Sequence, residues 1–95
     1  MAAYLIAEID ITDPAAYEEY RAKVPGVVGK YGGRYIVRGG KVEALEGGWH
    51  PKRVAVIEFA SMKQAQEFYR SADYAPLIKL RQRASRGKVI AVEGV

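Results

Sequence analysis

The chain has 95 residues, 49% apolar and 27% charged, a globular composition with room for one domain, residues 1–95. Fifteen Lys and Arg against eleven Asp and Glu leave a net charge of +4, too mild to single out a polyanionic partner. The absence of Cys excludes disulfides and thiolate metal sites, a lone His argues against an imidazole metal site, and no cofactor motif stands out.

Tyr4–Ile11 alternates, with Leu5, Ala7, Ile9 and Ile11 on one apolar face and Tyr4, Ile6, Glu8 and Asp10 on the other, so it reads as a strand. The opening MAAYLIAEID is too short and too soon acidic for a signal peptide, and no apolar run could span a bilayer, so the expectation is a cytoplasmic protein with no membrane partner. Asp13-Pro14 starts a helix: the carboxylate accepts from a free N–H, and Pro suits the first helical position. Tyr17, Tyr20, Val24, Val27, Val28 and Tyr31 recur at helical spacing; Pro25-Gly26 predicts a kink or loosened turn, and Gly32-Gly33 an end.

Gly33–Arg38 reads as a second strand, with Arg34, Ile36 and Arg38 on one face and Tyr35 and Val37 on the other. After the Gly39-Gly40 turn, Lys41–Leu45 can return as a short strand; Glu46-Gly47-Gly48 breaks it, and Trp49-His50-Pro51 forms a loop. Arg53–Phe59 is the third main strand. Ser61 with Gln64 opens a second helix, whose inner face is Met62, Ala65, Phe68 and Tyr69. Asp73 is expected to cap a further helical segment carrying Leu77, Ile78, Arg81 and Ala84, Arg86-Gly87 to stop it, and Lys88–Glu93 to form the last strand. The basic cluster Lys79, Arg81, Arg83, Arg86 and Lys88 has no aromatic interleaved, so it reads as a solvated helix end and nucleic acid is not expected as a partner.

The order β-α-β-β-α-β, with its second helix broken in two, is solved most simply by an α+β ferredoxin-like plait: a four-stranded antiparallel sheet with the helices on one face. The helix-free face should then carry Tyr4, Ile6, Ile36 and either Val54 and Val56 or Ala55 and Ile57, alongside Glu8, Asp10, Arg34 and Arg38. A mixed apolar and charged face of that kind suits a second copy packed face to face, and a homodimer is the expected partner. A domain this small buries only about 60–65% of the surface that its unfolded chain exposes, so association would also stabilise it.

Four stretches together resemble a family of small, mostly bacterial proteins known as a domain of unknown function within the dimeric α+β barrel superfamily. They are DPAAYEEYRAKVP, GGRYIVRGGKVEALEG, the WHPKR loop leading into VAVIEF, and SMKQAQEFYRSADYAPLIKLR. The resemblance covers nearly the whole chain and implies a ferredoxin-like protomer whose sheet meets a second one in a barrel. It implies no single activity, since that superfamily spans cofactor-free monooxygenases, lactone isomerases, haem-degrading enzymes and regulatory ligand-binding domains.

His50 alone has an ordinary pKa near neutrality and is the candidate general acid or base, against a plain loop imidazole. Trp49 is either a loop or interface anchor or a stacking surface for a ligand. Arg34 and Arg38, one strand repeat apart, suit a carboxylate; the alternative is ion pairing with Glu8, Asp10, Glu43 or Glu58. Tyr17 and Tyr69 are expected to border a cleft between helices and sheet. The paired glycines match no phosphate loop. The function these residues suggest is binding of a small carboxylated or aromatic molecule, with cofactor-independent oxygenase or isomerase chemistry as its enzymatic form. A non-enzymatic ligand-sensing or protein-interaction module is the alternative.

Overall fold

The computed structural model describes residues 1–95. Its elements are β1 (Ala3–Ile11), α1 (Pro14–Lys30), β2 (Arg34–Arg38), β3 (Val54–Phe59), α2 (Met62–Tyr69), α3 (Ala75–Ala84) and β4 (Ser85–Glu93). The strands form one antiparallel sheet in the order β2-β3-β1-β4, the topology of the ferredoxin-like plait.

Local chemistry sets the helix starts. The Asp13 carboxylate accepts from the Ala16 N–H at 3.2 Å with Pro14 in the first turn, and the Ser61 hydroxyl accepts from the Gln64 N–H at 3.2 Å. Tyr17, Tyr20, Val24 and Val28 bury the inner stripe of α1 against Leu5, Ile9, Ile57 and Phe59 of the central strands, and Phe68, Leu77 and Leu80 complete the layer. Cross-strand partners share a face, so the register assigns Tyr4, Ile6 and Glu8, Val54, Val56 and Glu58, and Lys88, Ile90 and Val92 to the helix-free side. The choice that alternation left open in the third strand is thereby decided: Ala55 and Ile57 face the helices.

Several expectations are corrected. No strand forms over Lys41–Leu45: the Gly39 N–H bonds the Val54 carbonyl at 2.9 Å, after which the chain leaves the sheet and residues 40–53 carry no strand or helix. One expectation stands: the first helix runs on to Lys30 with its turn loosened at Pro25-Gly26, where Pro25 has no N–H to offer the Arg21 carbonyl. Asp73 does not cap α3; it accepts from Lys30 Nζ at 2.8 Å and the Tyr31 hydroxyl at 3.0 Å, tying the end of α1 to the α2–α3 corner, while the Ser71 hydroxyl accepts from the Tyr74 N–H at 3.1 Å. The third helix ends at Ala84, and β4 begins at once with Ser85, whose hydroxyl bonds the Arg81 carbonyl at 2.6 Å. Arg81 is not part of a solvated helix end: it is 8% exposed, whereas Lys79, Arg83, Arg86 and Lys88 stand in solvent.

Candidate functional site

Between the helix layer and the sheet lies a cavity of about 30 Å³, floored by apolar side chains of β1 and β3. Five tyrosines wall it: Tyr17 and Tyr20 from α1, Tyr35 from β2, Tyr69 from α2 and Tyr74 ahead of α3. Four arginines join them, Arg21, Arg38, Arg53 and Arg81, and no carboxylate does.

The one charged residue among the buried ones is Arg81. It sits on the inner stripe of α3 with Leu77 and Ala84, one helical turn from each, so the helix that buries those two carries the guanidinium inward. Arg81 Nη1 donates to the Tyr74 hydroxyl at 2.9 Å, and the Tyr74 and Tyr20 hydroxyls bond each other at 2.7 Å. Burial, first of all, works against the Arg81 charge, the oxygens of Tyr74, Tyr69 and Tyr20 around it work in its favour, and the guanidinium stays protonated. Burial, first of all, pushes the phenols of Tyr20, Tyr35 and Tyr74 above the ordinary tyrosine range, so all three are neutral hydroxyls near pH 7.

Arg38 reaches the cavity by a device that alternation cannot foretell. Arg34 pairs opposite Glu58 and Tyr35 opposite Ile57; then Val37 pairs opposite Val56 and Arg38 opposite Ala55. Ile36 is an extra residue, a β-bulge, and it turns Arg38 to the helix side while Arg34 stays on the other. The expectation that Arg34 and Arg38 share a face is therefore overturned. Arg34 Nε instead donates to Glu58 Oε1 at 2.8 Å, the ion-pair alternative, at an exposed position.

Arg38 is held by α1. Pro25 has no N–H, so the Arg21 carbonyl, four residues before it, loses its helical partner. Arg38 Nη2 donates to that carbonyl at 2.6 Å, and its guanidinium lies 4.8 Å from the Tyr35 ring centroid. The missing helical donor is thus replaced by the residue that the bulge delivers. Beside it, the Arg53 guanidinium lies 5.5 Å from the Tyr17 ring centroid, and its Nε is buried with no acceptor. Gly39, at φ +73°, lets Arg53 lie there, since a Cβ at Gly39 would overlap Arg53 Nη1.

The structure thus gathers Tyr17, Tyr69 and Arg38 of the expected residues at one cavity and leaves Arg34, Trp49 and His50 outside it. Trp49 is 63% exposed in the 40–53 loop. His50 borders a separate, open cleft of about 440 Å³ with Glu8, Asp10, Lys52, Arg86 and Lys88 at the end of β1. Sequence reasoning missed Tyr20, Tyr35, Tyr74, Arg53 and Arg81 as site residues. Three of them carried a signal: Tyr20 shares the helical stripe of Tyr17, Arg53 alternates with Ala55 and Ile57, and Arg81 is a charged residue on an otherwise apolar helical stripe.

A family model described as "Domain of unknown function (DUF1330)" matches residues 2–95. The chain belongs to this family. Among solved structures, RPA0582 from Rhodopseudomonas palustris, a protein of unknown function, is similar at 19% identity and a TM-score of 0.78, covering 99% of this chain and 82% of that one. SnoaB, a cofactor-independent oxygenase from Streptomyces nogalater, is similar at 10% identity and a TM-score of 0.74, covering 99% and 93%. HapK from Hahella chejuensis is similar at 15% identity and a TM-score of 0.57, covering 98% and 92%. No match is found among curated protein sequences. At these identities the likeness establishes the fold alone, a ferredoxin-like α+β plait shared with RPA0582 and SnoaB.

Proposed function

We propose that this DUF1330 chain is a small-molecule-binding protein that acts as a homodimer in the cytoplasm, with its ligand site in the cavity between helices and sheet. Arg81 carries the reading. Buried charges are ordinarily paired, yet this guanidinium meets phenols, and the cavity wall holds no acid to balance it or Arg38 and Arg53. A residue of that cost on the buried stripe of a helix has its reason in something that enters the cavity. Thermal-shift screening with aromatic and carboxylated metabolites tests this: binding should raise the melting temperature and depend on Arg81 and Arg38. Binding indifferent to both would remove the site.

The second copy belongs on the helix-free sheet face. Ile90 is 59% and Val92 41% exposed there on β4, Val37 is exposed at the opposite edge on β2, and Glu8, Glu58, Arg34 and Lys88 share the face. A face that is greasy and carries both signs of charge is self-complementary under a two-fold axis. Sedimentation at micromolar concentration should return twice 10.5 kDa; a clean 10.5 kDa species would count decisively against the pairing.

A cofactor-independent oxygenase or isomerase is the enzymatic form of the same reading, and the fold likeness to SnoaB supports it. The raised phenol pKa values favour the ligand-sensing form, because Tyr20, Tyr35 and Tyr74 donate hydrogen bonds and do not take up protons near neutrality. Oxygen uptake and product analysis with the compounds that bind separate the two forms.

A further inference from the structure

We infer that the cavity is a receptor for the carboxylate head of an organic acid. The inference rests on the ligand site proposed above and adds what the site takes.

The argument is a count of donors and acceptors. A guanidinium offers five N–H groups and accepts nothing; a phenol offers one O–H and its oxygen accepts. Within the trio Arg81, Tyr74 and Tyr20, the phenol oxygens are the acceptors, and the Tyr20–Tyr74 bond uses one of the two hydroxyl protons. Whichever tyrosine donates, the other keeps a proton with no acceptor in the trio. Arg53 Nε–H is likewise buried without an acceptor. The cavity therefore holds surplus donors from two sides, under two or more positive charges, and no acid. The complement of such a surface accepts only and carries negative charge. An ionised carboxylate meets both requirements, and its planar oxygens match a guanidinium fork. A neutral amide would bring N–H groups to a site that already has too many.

Size points the same way. A cavity of about 30 Å³ holds roughly two to three waters, since each needs about 10–15 Å³ on this measure. That is room for a carboxylate head and not for an aromatic body.

The test is titration of the full-length protein with benzoate, benzamide and phenyl phosphate, following affinity by calorimetry and the Arg Nε–H resonances by NMR. Benzoate should shift the Arg81 and Arg53 resonances and bind at least roughly tenfold tighter than either other compound. Arg81→Met should weaken benzoate about thirty-fold or more. Arg53→Met, which removes the buried Nε–H that lacks an acceptor, should weaken it several-fold and serves if Arg81→Met does not fold. Benzamide or phenyl phosphate matching benzoate in the cavity overturns the carboxylate head and leaves the ligand site standing. Benzoate affinity unchanged in both variants overturns the head as well. No shift of any cavity resonance with any of the three compounds overturns both readings.

Discussion

The two faces of the sheet handle charge in opposite ways. On the helix-free face acids and bases stand side by side: Glu58 meets Arg34, Asp10 meets Lys52 at 3.7 Å, and Glu8 lies opposite Lys88. These groups keep much of their hydration, and such pairs contribute little to stability. On the covered face Arg38, Arg53 and Arg81 stand among tyrosines with no acid in reach. Compensated charge on one side and uncompensated charge on the other separates the surface proposed to meet a second copy from the one proposed to hold a ligand.

Adjacent residues of β3 sharpen that contrast most strongly. Ile57→Ala, on the covered face, should cost about 2–4 kcal/mol in denaturant unfolding, at any protein concentration. Val56→Asp, one residue away on the other face, should instead make the protein sediment as a monomer. Equal behaviour of the two variants would erase the distinction between core and interface.

Arg81→Met comes next. It removes a buried charge that lacks an anion, so it should stabilise the apo protein by about 1–3 kcal/mol while abolishing ligand binding. A loss of stability would mean that the phenols alone satisfy the guanidinium.

Alkaline unfolding probes the same face. Folded Tyr20 and Tyr74 hold their protons above the unfolded value of roughly 10. Their contribution is full below that pH and is lost as pH rises toward the folded values, where only the unfolded chain ionises readily. Tyr20→Phe should flatten the alkaline limb of a stability–pH curve; an unchanged limb would mean these phenols ionise as easily folded as unfolded.

Pro25→Ala should give the Arg21 carbonyl back its helical N–H and release Arg38. The expected result is a gain of about 1 kcal/mol from the restored helix, set against a few-fold loss in ligand affinity, read from unfolding and binding curves. The smallest effect belongs to Arg34→Ala: its exposed pair with Glu58 should contribute about 0.5 kcal/mol or less, and ligand binding should not change. A large loss of binding would return Arg34 to the site.

The order of elements, the buried alternation of β1 and the caps at Asp13 and Ser61 were all legible in the residues, because each depends on a repeat period or on chemistry within a few positions of the chain. Tyr17 and Tyr69 were legible as cleft walls for the same reason. Arg38 was not legible as a partner of the cavity. Its side of the sheet depends on the bulge at Ile36, which exists only as a register between β2 and β3, and no glycine marks it. His50 and Trp49 drew attention as the only residues of their kinds, and rarity says nothing about where a loop sits. Lys41–Leu45 had the composition of a strand, but a strand needs a neighbour, and none is offered there within the protomer.

By itself, then, the sequence determined a βαββαβ plait with one face committed to helices, since period and capping are properties of neighbouring residues. Tertiary structure decided which charges are buried together. Arg38 of β2, Arg53 of the loop before β3 and Arg81 of α3 lie far apart in the chain, and only the packing of α1 and α3 over a bulged sheet sets them around one cavity without an acid among them.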